Sequence, residues 1–98
     1  MATVRQVLKS AMAKFEKRQK KAEEKQEIHY WRGALKETEK VLLSLKGRVG
    51  KEQVKSLLIT QIGECQKSAD QYGQGTGWEL IKASYYRGAA EQLAKIRL

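Results

Sequence analysis

Proline is absent from this 98-residue chain, and glycine gathers at two places, residues 47 and 50 and again 73, 75 and 77. Glycine reaches positive φ without a Cβ clash and weakens a helix, and nothing else in the sequence stops one. The two clusters therefore divide the chain into three helical stretches, 3–46, 51–72 and 77–97. Gly47 and Gly73 stand where left-handed C-terminal caps are expected, and Thr76 with Glu79 has the spacing of a capping box opening the last helix.

Apolar residues recur at three- and four-residue steps in each stretch. Val54, Leu57, Leu58, Ile62, Cys65, Ala69 and Tyr72 share one face of the second helix, and Trp78, Ile81, Tyr85, Ala89, Leu93 and Ile96 one face of the third. The first stretch carries two faces. Val4, Val7, Leu8, Ala11 and Phe15 form one, and Ile28, Trp31, Ala34, Leu35, Val41, Leu42 and Leu45 the other. At about 100° per residue these differ by roughly 150°, so on one straight helix they point nearly opposite ways. Such a helix would be about 66 Å long at about 1.5 Å per residue.

Between the two faces lies EKRQKKAEEKQE, residues 16–27, with almost nothing to bury and a composition of strong helix formers, including the i,i+4 pair Glu16 and Lys20. It reads as a solvated helical connector. The expected fold is all-α, a three-helix up-down-up bundle over 28–98 whose first helix extends into a basic amphipathic arm and connector over 1–27. The competing arrangement is a kink near residue 20 that folds the arm back into a four-helix cluster.

Charge follows the same division. The net charge is +9, yet residues 1–25 hold eight Lys and Arg against three Glu, whereas residues 49–72 hold three of each sign. No apolar run is long enough for a membrane span, and no signal-peptide pattern opens the sequence, so the expected location is cytoplasmic. Cys65 is the one cysteine, which excludes an internal disulfide and a cysteine-based metal site and suits a small buried side chain. No cofactor or metal is expected.

The arm offers two candidate surfaces. Its stripe of Val4, Leu8, Ala11 and Phe15, out of phase with the bundle, asks for a second copy or a protein partner. Its cations Arg5, Lys9, Lys14, Lys17, Arg18, Lys20 and Lys21 suit nucleic-acid phosphates or other anions. Membrane binding is disfavoured because Phe15 is the only bulky anchor. Motifs for base-specific readout are absent, so any nucleic-acid binding would be to the backbone and salt-sensitive. His29, the single histidine, has no nucleophile or second base beside it, which argues against catalysis. The glycines of YGQGTGWEL resemble an anion-holding loop only loosely, since no strand precedes them and the P-loop lysine is missing.

YWRGA at 30–34 returns as YYRGA at 85–89. A glycine inside a helix costs about 1 kcal/mol relative to alanine, so two at equivalent positions want a reason. Close packing supplies one, with Tyr85 set over a notch at Gly33 and Ala34. The alternative is an aromatic and basic ligand cleft made by Tyr30, Trp31, Arg32, Tyr85, Tyr86 and Arg87. The function expected is therefore a small non-enzymatic helical interaction or scaffold protein that self-associates or docks through its arm. Sequence-nonspecific nucleic-acid binding by the same arm is the second expectation.

Overall fold

The computed structural model describes residues 3–98, which fold into four α-helices with no strand among them: α1 (Val4–Lys21), α2 (Lys25–Ser44), α3 (Lys51–Tyr72) and α4 (Trp78–Leu93). The all-α expectation holds, but the helix count is four, because the first stretch breaks at 22–24. Ala22 and Glu24 are both extended (ψ 139° and 142°), and α1 turns back along α2. No projecting arm forms, and the connector over 16–27, exposed at most positions as expected, is interrupted at 22–24 rather than one continuous helix. The longest dimension of the molecule is 43 Å, too short for an unbroken first helix of about 66 Å.

The two out-of-phase apolar faces explain the break. A straight helix would bury only one of them. Reversal at 22–24 gives up a few helical hydrogen bonds, each worth about 0.5–1.5 kcal/mol net, and the Ala22 N–H still donates to the carbonyls of Arg18 and Gln19. In return Leu8 and Phe15 fall to 0% and 3% exposure, a gain of about 1.5–3 kcal/mol each. Burial outweighs the local helix preference of KKAEEK.

α1 packs on α2 and α3 on α4, making two helical hairpins joined mainly through the inner pair α2 and α4, with only a light contact between α2 and α3. One core cluster draws on every helix: Leu8, Val41, Leu45, Val54, Leu58 and Leu93. A second, of Cys65, Ala89 and Ala90, lets α3 approach α4 closely.

The ends differ from the simplest reading of the glycines. Gly47 has φ +65°, as a left-handed residue after α2 should, but Gly73 is right-handed helical (φ −64°). The second left-handed glycine is Gly77 (φ +56°), which is itself the N-cap of α4, so Thr76 and Glu79 form no capping box. The capping box is at the other end of the chain, where Thr3 and Gln6 each accept from the other's backbone N–H.

Candidate functional site

The repeat lies where the two hairpins meet. A Cβ on Gly33 would overlap the Tyr85 carbonyl oxygen and lie 2.6 Å from its carbon, and a Cβ on Gly88 would meet the Tyr30 carbonyl in the same way, also 2.6 Å from carbon. The notch at Gly33 is therefore filled by Tyr85 main chain rather than by its ring. The reciprocity extends to the side chains. The Tyr85 hydroxyl donates to Glu37 Oε2 (2.9 Å), while the Tyr30 hydroxyl accepts from Gln92 Nε2 (3.1 Å) and donates to Glu91 (2.5 Å). Each tyrosine thus reaches the residue seven places further along the repeat of the opposite helix.

Glu37 is the chemically distinctive group of this interface. It is 3% exposed, and its Oε1 accepts from Gln61 Nε2 (2.7 Å) and the Cys65 thiol (3.6 Å), with Lys40 Nζ 3.4 Å from each carboxylate oxygen. Burial first, then the Glu37 charge and its hydrogen bond, push the Cys65 thiol up to about 12, and the same causes raise Tyr85. Both side chains stay protonated and donate. Glu37, Cys65 and Tyr85 line none of the surface grooves described below, and their hydrogen bonds join α2, α3 and α4. The sequence contained a signal for it: Glu37 stands four residues from both Gly33 and Val41, on the buried face.

The proposed ligand cleft does not form. Trp31 turns toward α1, stacking on Phe15 (centroids 6.1 Å apart) under Arg18 (5.7 Å), whereas Tyr86 turns toward α3 and stacks on Tyr72 (5.9 Å). Arg32 and Arg87 line separate grooves, one between α1 and α2 and one between α3 and α4. Tyr30 and Tyr85 are occupied by their interhelical hydrogen bonds. In the glycine loop, the N–H groups of Glu79, Leu80 and Ile81 donate to the carbonyls of Thr76 and Gly77, which makes it a turn. His29 sits edge-on to Trp78 (6.0 Å), with its pKa lowered by burial and by Arg32 and Lys25.

The partner-binding stripe of α1 is also used internally. Leu8 and Phe15 are buried, Val4 packs against the main core, and Ala11 is half-buried. A stripe that completes its own core has little left to offer a second chain.

The basic side of α1 remains outside. Lys9, Lys14, Lys17, Arg18, Lys20 and Lys21 are exposed. Arg5 is tied down, donating to the Gly47 carbonyl (2.7 Å), Arg18 covers Trp31, and Lys20 pairs loosely with Glu16 (3.6 Å). Lys9, Lys14, Lys17 and Lys21 make no ion pair among the described residues. Folding α1 onto α2 adds two cations to this side, since Arg32, expected in the ligand cleft, and Lys36, which the sequence did not mark, share a groove of about 640 Å³ with Lys20 and Glu16. Lys36 also lines the adjoining groove with Lys9. Comparison with known families, with curated proteins and with solved structures gives no match for this chain.

Proposed function

We propose that this chain is a non-enzymatic nucleic-acid-binding protein that holds phosphate backbones on the exposed cations of α1 without reading sequence. The observation that carries this reading is the charge of α1 after its apolar stripe has gone into the core. Val4–Lys21 holds seven Lys and Arg against the single acid Glu16, while Lys51–Tyr72 of α3 holds three cations against three acids. The outward side of α1 has cations to offer and little else. Arg32 and Lys36 widen the positive strip across the α1–α2 hairpin. No residue is placed to read base edges, so affinity would come from counterion release, at about 0.9 log units per log unit of salt for each phosphate neutralised.

Fluorescence anisotropy with a labelled duplex, from 50 mM salt upward, tests the proposal. A triple Lys9→Glu, Lys17→Glu and Lys21→Glu variant loses at least tenfold in affinity and flattens the salt slope. The matched Lys51→Glu, Lys55→Glu and Lys67→Glu variant on α3 binds nearly as the parent does. Equal affinity in both variants would remove the reading.

Docking on a protein partner is the second reading, moved away from α1. It is favoured by Ile59, 69% exposed on α3, beside Ile62, Ile96 and Leu98 in one apolar groove. Sedimentation of the parent and of Ile59→Lys compares the two states directly.

A further inference from the structure

Between α1 and the chain leaving α4 lies a cleft of about 170 Å³. Val7, Ala11, Phe15 and Ile96 line it with apolar groups, the buried Gln92 amide, which donates to the Tyr30 hydroxyl, adds a polar one, and Lys14 from α1 and Lys95 and Arg97 from beyond α4 complete the lining. No carboxylate lines it. The grooves on the other side of α1 include Glu16 and Glu39, and that between α3 and α4 includes Asp70 and Glu91. Lys14, Lys95 and Arg97 make no ion pair among the described residues.

Three cations without ion-pair partners lining one cleft repel one another, and a bound anion converts that repulsion into attraction. Arg97 adds a planar fork that matches carboxylate and phosphate geometry. The apolar lining selects further. A bare inorganic anion would leave Ala11 and Ile96 wet, whereas a ligand with an apolar body covers them. Sites for drug-sized molecules run to about 300–1,000 Å³, so this smaller cleft accepts a body about the size of one aromatic ring and excludes a long acyl chain.

We propose that this cleft binds a small amphipathic anion, with a carboxylate or phosphate monoester head held by Lys14, Lys95 and Arg97 and a flat apolar body lying on Ala11 and Ile96. The site shares only Lys14 with the exposed cations of α1 that are proposed to hold phosphate backbones, and Lys17 and Lys21 do not line the cleft.

Nuclear magnetic resonance titration of the full chain with phenyl phosphate, inorganic phosphate and benzyl alcohol tests it. Phenyl phosphate binds at least tenfold more tightly than either of the others and moves the Ala11, Phe15 and Ile96 resonances. Replacing the exposed pair Lys95→Ala and Arg97→Ala weakens phenyl phosphate at least tenfold. Ala11→Leu, which fills the cleft and keeps the cations, reduces phenyl phosphate to the level of inorganic phosphate. Should that variant fold poorly, Lys14→Ala gives a second reading of head-group binding. Lys17→Glu with Lys21→Glu leaves the titration unchanged. Phenyl phosphate no tighter than inorganic phosphate, or binding unchanged when Lys95 and Arg97 are removed, overturns the proposal.

Discussion

Gly33 and Tyr85 meet main chain to main chain, and the absent Gly33 side chain is what lets α2 and α4 come together. Gly33→Ala and Gly88→Ala each force a methyl group into a carbonyl that belongs to a helix and cannot swing aside. Overpacking of this kind costs about 1–3 kcal/mol or more, a fall of about 4–8 °C in melting temperature per kcal/mol in a domain of this size. Gly63 is the control. It lies inside α3 with nothing within 4 Å of a built Cβ, so Gly63→Ala raises the melting temperature, by up to about 1 kcal/mol of added stability. Calorimetry of the three variants checks both signs.

Glu37→Ala strands the Tyr85 hydroxyl, the Gln61 amide and the Cys65 thiol together. Each unsatisfied buried donor costs about 1–3 kcal/mol, and water entering the gap repays part, so the expected loss is about 2–4 kcal/mol by urea denaturation. Glu91→Ala, at the exposed acceptor beside Tyr30, costs less than about 1 kcal/mol.

Alkaline pH weakens the fold. The native Cys65 thiol is held up to about 12, while the unfolded thiol ionises near its ordinary value of about 8.5. Above that value the unfolded chain binds fewer protons than the native one, so stability present below about pH 8.5 is lost as pH rises toward 12, at about 1.4 kcal/mol per pH unit. Tyr85, also raised, adds a second contribution above about pH 10. Cys65→Ser or Cys65→Ala removes the first part of this slope. Alkylation of native Cys65 by iodoacetamide shows no inflection between pH 8 and 9, where an exposed thiol would.

α1 is a part of the core. Leu8→Ala costs about 2–5 kcal/mol, measured by thermal unfolding, because Leu8 is fully buried among Val41, Val54 and Leu93. Deleting α1 leaves α2 with an uncovered apolar face and an aggregating product. A chain lacking Val4–Lys21 that melts like the parent would restore the view of α1 as an independent arm.

Helix content and most of the buried stripes were legible because amphipathic periodicity is a local property: Val54, Leu58 and Cys65 are buried where spacing put them. The break at 22–24 was legible only as the competing kink near residue 20, since KKAEEK favours helix and the turn is imposed by faces on either side of it. The phase difference of roughly 150° was the available sign, and satisfying both faces in one core is the solution it pointed to. The exposed cations of α1 were readable from sequence, but their meeting with Arg32 and Lys36, and of Lys14 with Lys95 and Arg97, depends on how the hairpin folds. The repeat suggested packing correctly at Gly33, while a side-chain cleft presumed that neighbouring aromatics point the same way. On a helix Tyr30 and Trp31 diverge by about 100°, which sends one to α4 and the other to α1.

Because Gly33 faces Tyr85 and Gly88 faces Tyr30, each hairpin carries both a plug and a socket for the other. The tether over 46–50 contributes little beyond Val49 at the core's edge and the Gly47 carbonyl that Arg5 holds. Recognition between the halves therefore does not depend on their being one chain. A chain cut within the tether keeps complementary surfaces on its two pieces.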